Sequence, residues 1–136
     1  MTMHARATFV VKSWDEKPWL VLEGGVKLTR ASVPKTFHGD ITGEAISETL
    51  MYYRADGSAD FTGLERVDGS IGGRRGSFVL RAVGTYRDGT ATCDCAVVPG
   101  SGSGELIGLH GTGRYIAAHA DYPNVPFSLD YGFDNA

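Results

Sequence analysis

Turn-forming dipeptides recur along the whole chain at short intervals, and this spacing limits the elements between them to short, extended segments. Glycine supplies most of the turns: it accounts for 19 of the 136 residues, about twice its usual share of ~7%. The strongest turn signals are Glu23-Gly24-Gly25, Gly39-Asp40, Asp56-Gly57, Asp68-Gly69, Gly72-Gly73, Asp88-Gly89 and Pro99-Gly100. This length and spacing predict one all-β domain over residues 1–136.

The runs between the turns are rich in the β-branched and aromatic residues that strands favour. They predict about eight strands, near residues 5–14, 26–38, 41–54, 59–71, 74–87, 89–98, 105–117 and 127–133. Several of these runs exceed the common strand length, which favours long, coiled strands that close a barrel. An even number of strands joined by short hairpins predicts an antiparallel, mostly up-and-down eight-stranded β-barrel.

One segment, residues 44–56, leaves an alternative open. It lacks Gly and Pro, and Ile46, Leu50 and Tyr53 have near-helical spacing, which is compatible with a short amphipathic helix. The β-favouring composition of the segment and the hairpin signal Asp56-Gly57 favour a strand instead.

Charge and hydropathy exclude several classes of protein. Thirteen Lys and Arg against sixteen Asp and Glu give a net charge of −3, and no run of like charges is longer than the Arg74-Arg75 pair. The chain therefore lacks the basic stripe that nucleic-acid binding needs. No segment approaches the ~20 apolar residues of a membrane-spanning helix. We expect a cytoplasmic protein with neither nucleic acid nor membrane as a partner.

The two cysteines, Cys93 and Cys95, lie two residues apart. On a strand they share one face and cannot form an ordinary disulfide, so we predict that they are buried as small apolar side chains. A zinc site would need two more ligands nearby, and the sequence has neither CxxC nor HxxxH spacing. We predict no metal and no cofactor.

Residues 100–104 read Gly-Ser-Gly-Ser-Gly, a composition that also occurs in phosphate-binding loops. Neither GxGxxG nor GxxxxGK[ST] is present, and the flanking segments are strand-like. We expect a flexible hairpin or a lid of the Ω-loop type. The absence of GxSxG argues against a serine hydrolase.

Strand alternation selects Glu65 as a candidate acid or base. It shares a strand face with the apolar Val67, and Phe78 and Leu80 form the corresponding apolar row on the next strand, so Glu65 should face the barrel interior. Burial disfavours the charged form of a carboxyl group, which suits it to general acid or base catalysis near neutral pH. The alternative is a structural salt bridge with a buried arginine, such as Arg114 or Arg81.

Other polar residues could contribute to the same site. Tyr131 should place its hydroxyl inside the barrel, where it or Arg81 could stabilise negative charge on a substrate oxygen. Glu44 and Glu48 share one face of their strand, and Glu105 lies beside the glycine-rich loop. These three carboxylates could line a substrate-binding pocket or face solvent.

Several segments of the chain also resemble segments of a known family, and they occur in the same order as in that family. They are residues 37–44 (FHGDITGE), 63–69 (GLERVDG), 73–80 (GRRGSFVL), 97–106 (VVPGSGSGEL) and the closing Leu129-Asp130-Tyr131. Over about residues 5–133 the chain resembles domain-of-unknown-function family 3224, whose members are similar in fold to allene oxide cyclase, a small calycin-like β-barrel. The resemblance implies a central cavity. Family members tend to carry Gln-His after the Phe-Val-Leu run, where this chain has Arg81-Ala82, so any role of that histidine is lost here or taken over by Arg81.

This resemblance, with the candidate residues, makes a cofactor-free isomerase or cyclase the first expectation for function. An apolar, oxygenated small molecule would be held in the barrel with Glu65 as the acid or base. Tyr131 or Arg81 would stabilise charge on oxygen, and Phe78 and Leu80 would shape the cavity and exclude water.

Two other functions fit the same sequence. One is a non-catalytic protein that binds small hydrophobic ligands, as lipocalins and streptavidin do. The other is a structural barrel that acts through the interface of a homo-oligomer, a dimer or a trimer. Trp14 and Trp19 could cap one end of the barrel or lie in such a contact, where Trp is enriched.

Overall fold

A computed structural model describes residues 2–134, which form an almost entirely β structure. The strands are β1 (Met3–Val11), β2 (Asp15–Val21), β3 (Lys27–Gly39), β4 (Ile41–Tyr53), β5 (Ala59–Ile71), β6 (Arg74–Arg87), β7 (Thr90–Val97), β8 (Leu109–Ala118) and β9 (Asn124–Phe133). Within this part of the chain the helical pieces are three 3-10 segments of three residues each, at Glu23–Gly25, Gly104–Leu106 and His119–Asp121.

The strands form one antiparallel sheet that closes on itself. From β3 to β9 each strand pairs with its neighbour in sequence, and β1 lies between β9 and β3. The pairing of β1 with β3 completes an eight-stranded barrel, with β2 as an extra strand. The predicted all-β, mostly up-and-down barrel is confirmed, and so is the strand assignment of residues 44–56, most of which form β4.

The sequence analysis missed β2. This strand continues along the same edge of β3 that β1 occupies: Val11 pairs with Lys35, and Asp15 pairs with Ser32. Almost all of its residues are exposed, so it lacks the alternation of buried and exposed side chains that predicts a strand. Pro18 in its middle also argues against a strand on sequence grounds. Hydrogen bonding to β3, rather than burial, makes this segment a strand.

Large apolar side chains fill one end of the barrel, which we call the closed end. It includes the hairpins β3–β4 and β5–β6 and the segment between β7 and β8. The residues packed in and just above this end are almost completely buried: Phe37, Ile41, Ile71, Phe78, Leu80, Leu106 and Leu129. The guanidinium of Arg74 lies over the ring of Phe133, 4.3 Å from its centroid, at the rim of this end.

The glycine- and serine-rich loop completes the edge of β6 where β7 has ended. Val79 N donates to Ser101 Oγ at 3.0 Å, and Ser77 N donates to Ser103 Oγ at 3.1 Å. The serine hydroxyls therefore accept the hydrogen bonds that a neighbouring strand would accept. Gly76 permits this close approach, because a Cβ there would overlap the Ser103 carbonyl oxygen. The loop packs along the edge of β6 at the closed end and is not the flexible hairpin or lid expected from sequence.

We predict that Ser103→Ala lowers the free energy of unfolding by about 1 kcal/mol, because the Ser77 N–H loses its acceptor. Ser128→Ala, on the exposed outer face of β9, is the control and should change stability by less than about 0.5 kcal/mol. Urea denaturation measures both. Equal, small effects would show that the packing of the loop against β6 does not depend on the Ser103 hydroxyl.

Candidate functional site

The end of the barrel opposite the packed one opens into a cavity of about 450 Å³. The hairpins β4–β5 and β6–β7, the link between β1 and β2, and the segment between β8 and β9 surround its mouth. Apolar side chains form most of the wall: Phe9, Val11, Val33, Met51, Phe61, Ala91, Ala117 and Val125. The volume lies within the range of about 300–1,000 Å³ that is typical of small-molecule sites.

Polar side chains also line the cavity: Lys35, Ser47, Thr49, Tyr53, Tyr86, Tyr115, His119 and Tyr122. Of these, Lys35 and Ser47 are buried. Lys35 Nζ lies 2.6 Å from Glu65 Oε1, and the two side chains are only 9% and 8% exposed. The same ammonium group lies over two aromatic rings, 4.3 Å from the centroid of Phe9 and 5.6 Å from that of Tyr115. The result is a buried ion pair flanked by aromatic rings.

Strand alternation explains how this pair arises. Lys35 is in phase with Val33 and Phe37, both of which are buried on the inner face of β3. Glu65 faces inward from β5, as the sequence predicted, but its partner is this lysine rather than an arginine. Lys35 lies on the same face of β3 as buried residues, and this alternation is the sequence signal that could have identified it as the partner of Glu65.

Glu65 lies behind Lys35 as seen from the cavity. Lys35 is part of the cavity lining, whereas Glu65 is not. Within residues 2–134 no donor makes a hydrogen bond of suitable geometry to Glu65 Oε1, although the ammonium nitrogen is close. The two groups form a close contact of opposite charges, and a molecule in the cavity would touch Lys35 rather than Glu65.

The two cysteines lie beside this ion pair in the barrel interior. Both are buried and unoxidised, and their sulfur atoms are 3.7 Å apart. The hydrogen bond shared with Cys95 lowers the pKa of Cys93, and so do Tyr115 and the charge of Lys35, against the effect of burial. The same shared hydrogen bond, together with burial, raises the pKa of Cys95. Burial likewise raises the pKa of Tyr115.

A second polar cluster stands at the mouth of the cavity. Glu16 of β2 accepts hydrogen bonds from Tyr53 Oη at 2.6 Å, Thr29 Oγ1 at 2.7 Å and Trp14 Nε1 at 2.8 Å. Trp14 and Tyr53 both line the cavity. Burial alone would raise the pKa of Glu16, but the three hydrogen bonds outweigh it and lower the pKa. The sequence analysis missed this cluster because it did not predict β2.

Three of the predicted carboxylates lie outside the barrel. Glu44 and Glu48 project from the outer face of β4, where they pair with Lys12 at 3.2 Å and Arg30 at 3.1 Å. Glu105 lies exposed at the closed end and accepts a backbone hydrogen bond from β6. None of them is near the cavity, which corrects their expected place in a substrate-binding pocket.

The distribution of apolar side chains on β4 explains why Glu44 and Glu48 were candidates for the cavity. Ile46 and Leu50 are each 50% exposed on that face, whereas Ala45 and Ser47 are buried on the inner face. The interior of a small closed barrel has little room, so small side chains occupy it at this level and larger apolar ones remain outside. Hydrophobicity alone therefore indicated the wrong face.

The arginines also differ from expectation. Arg81 and Arg114 project outward from β6 and β8 and are exposed. Neither can pair with the buried Glu65 or stabilise charge inside the cavity.

The other predicted residues are buried, but away from the cavity. Tyr131 lies in the closed half, with its hydroxyl beside Gly72. Phe78 and Leu80 belong to the packed layers and do not line the open cavity. They pack the barrel interior next to the closed end and do not shape the space in which a ligand would lie.

Within residues 2–134, no three His, Cys, Asp or Glu side chains are grouped as metal ligands. No helix in the same residues is long and apolar enough to cross a membrane.

We predict that Lys35→Met destabilises the protein by about 3–5 kcal/mol, because it leaves the Glu65 charge buried without a partner. The double variant Lys35→Met/Glu65→Leu should recover most of this loss. As a control, Arg30→Met breaks the exposed pair with Glu48 and should cost less than about 1 kcal/mol. Denaturant unfolding gives all three values. A double variant no more stable than Lys35→Met would contradict the interpretation.

The lowered pKa of Glu16 predicts a pH dependence of stability. The ordinary pKa is 4.5, so the ionised carboxylate stabilises the fold above that pH, and this contribution is lost as the pH falls through the lower folded-state value. Between about pH 6 and about pH 3, Glu16→Gln should show a smaller decrease in urea midpoint than the wild type. Tyr53→Phe removes one donor and should be intermediate. An unchanged profile in Glu16→Gln would refute the assignment.

Comparison with known proteins identifies the family. A family model described as "Protein of unknown function (DUF3224)" matches residues 5–131. The crystal structure of a DUF3224 protein of unknown function from Shewanella oneidensis MR-1 superposes with a TM-score of 0.82 at 31% sequence identity, and 100% of each chain is covered. A search of the curated proteins finds no match. The extent of the family match and the full-length similarity to this structure show that the chain belongs to the DUF3224 family.

Proposed function

We propose that the protein binds a small, mainly apolar molecule in the open end of the barrel, with one uncharged oxygen atom of the ligand accepting a hydrogen bond from Lys35 Nζ. The observation that carries this proposal is the mainly apolar cavity of about 450 Å³, whose lining includes Lys35. Ligand sites commonly combine apolar walls with a few polar groups that fix orientation.

The charge of the site selects the kind of oxygen atom. Lys35 and Glu65 form a pair without net charge, so the carboxylate of an acidic ligand would be repelled by Glu65 and would have to compete with it. An ammonium group has three N–H donors, and its contact with Glu65 leaves others for a neutral acceptor. Ketones, esters, ethers and alcohols therefore fit the site better than carboxylic acids.

The walls account for the apolar part of the ligand. Phe9, Phe61 and Tyr115 provide aromatic surface, and Ala91 and Ala117 leave space between them. Apolar area removed from water contributes about 25 cal/mol per Å² to binding before the costs of association. A compact ring system or short alkyl chain would gain most of its affinity from these contacts.

A cofactor-free isomerase or cyclase is a second candidate, and the buried Lys35–Glu65 pair is the observation that favours it. Active sites often hold buried charged groups beside a cavity. In this version Lys35 touches the substrate oxygen and donates a proton, and Glu65 positions the ammonium group. The roles thus differ from those inferred from sequence, which assigned the substrate contact to Glu65.

Binding can be tested with Prodan, a neutral naphthyl ketone whose emission shifts to the blue in apolar surroundings. We predict saturable binding of Prodan, and affinity at least about tenfold weaker, or 1.4 kcal/mol, for the anionic anilinonaphthalene sulfonate. Ala117→Trp, which fills the cavity, should abolish Prodan binding. Ile116→Trp, on the exposed outer face of β8 next to Ala117, is the matched control. Unchanged binding to Ala117→Trp would exclude the cavity as the site.

The catalytic version has its own test. Apolar epoxides and unsaturated ketones would be incubated with the protein and the products separated by gas chromatography. Glu65→Gln keeps the side-chain volume but removes the charge, so we expect binding to remain and conversion to fall by about 100-fold or more. If the wild-type protein binds these compounds but converts none of them, the catalytic proposal is wrong and only the binding proposal stands.

A further inference from the structure

We propose that Cys93 and Cys95 form an oxidisable dithiol, which a hydroperoxide entering through the cavity converts into a disulfide within β7. The inference rests on the arrangement of the two thiols beside the Lys35–Glu65 pair, and it does not depend on the ligand proposed above. Neither the family description nor the related structure assigns a role to these residues.

The geometry brings the two sulfur atoms together. Both side chains point to the same inner face of β7, and the Sγ atoms are 3.7 Å apart. The chain contains two cysteines in all, so each is the other's sole intramolecular partner. Both lie in the barrel core, where a thiol of another molecule cannot readily reach them.

The surroundings differentiate the two thiols. Cys93 shares a hydrogen bond with Cys95, pairs in register with Tyr115, and lies near the Lys35 ammonium group, whose effect on the pKa of Cys93 is opposed by the charge of Glu65. Together these contacts lower the pKa of Cys93, while the pKa of Cys95 is raised. A thiolate is the nucleophilic form of cysteine. Cys93 is therefore the attacking sulfur, and Cys95 supplies the second thiol.

The chemistry balances with a hydroperoxide as the oxidant. The Cys93 thiolate attacks the terminal peroxide oxygen, the O–O bond breaks, and the other oxygen leaves as an alcohol or water after taking up a proton. The sulfenic acid formed on Cys93 is then attacked by the sulfur of Cys95, the S–O bond breaks, and water leaves with the thiol proton. Two thiols and one hydroperoxide give one disulfide, one alcohol and one water; two electrons pass from sulfur to oxygen.

The strand makes this disulfide reversible. Two residues along a strand span about 6.5 Å between Cα atoms, near the upper limit for a disulfide, so an ordinary disulfide does not fit a regular strand. The backbone between Cys93 and Cys95 must bend locally to close the bond, which is therefore strained and readily reduced by thiols. The route for the oxidant is the open cavity, whose wall includes Tyr115, the residue paired with Cys93. A small peroxide reaches Cys93 when the Tyr115 ring moves aside, because Cys93 itself has no exposed surface.

The first test treats the folded protein with hydrogen peroxide or cumene hydroperoxide and titrates free thiols after denaturation. We expect both thiols to disappear together, intact mass to fall by two hydrogen atoms in the monomer, and dithiothreitol to restore both thiols. Thiols that remain free, or a disulfide that links two chains, would overturn the proposal.

Single variants test the order of the steps. In Cys95→Ser the sulfenic acid on Cys93 has no resolving thiol and should be trapped by dimedone, whereas Cys93→Ser should give little adduct. The reverse result would refute Cys93 as the attacking sulfur. Circular dichroism checks that each variant folds, and the alanine versions replace any serine variant that does not.

A cavity-filling variant tests the route. Ala117→Trp should slow the oxidation of both thiols, and Ile116→Trp, on the outer face of β8, should leave the rate unchanged. Equal rates in the two variants would exclude entry through the cavity. Because this readout is loss of thiol, it is independent of Prodan binding, and either proposal can fail without the other.

Discussion

The rest of the structure depends on the pairing of β1 with β3. Without this contact the sheet would have two open edges and would expose its inner face to water. Closure encloses that face in a narrow space, which is why Ala45 and Ser47 face inward on β4 while Ile46 and Leu50 remain outside. The two ends of the barrel differ: one is packed with large apolar side chains, and the other opens into the cavity.

The role of the Lys35–Glu65 pair is inferred from the cavity beside it. Replacing a buried ion pair by apolar residues of similar size is often neutral or stabilising, so such a pair is weak evidence for a stabilising role. Here it lies beside a mainly apolar cavity, with Lys35 in the cavity lining and Glu65 outside it. The aromatic rings of Phe9 and Tyr115 and the thiols of β7 complete the same neighbourhood. Ligand binding and thiol oxidation would both use this one polar site.

Particular residues show how far the sequence could be interpreted. Alternation correctly predicted that Glu65 faces inward, because apart from the exposed Leu64 its strand carries its apolar residues on one face. It failed for Glu44 and Glu48, because their strand carries apolar residues on its outer face. Glu16 was out of reach, since β2 is a strand only through its hydrogen bonds to β3.

Local information in the sequence determined the turns, the positions of eight strands and the closed antiparallel barrel, because glycine conformation and strand alternation act over a few residues. The tertiary structure alone decided which polar groups meet. Lys35 and Glu65 are 30 residues apart in sequence yet 2.6 Å apart in space, and only the curvature of the closed sheet brings them together. Curvature also determined which end stayed open, because it depends on the combined volume of side chains from every strand.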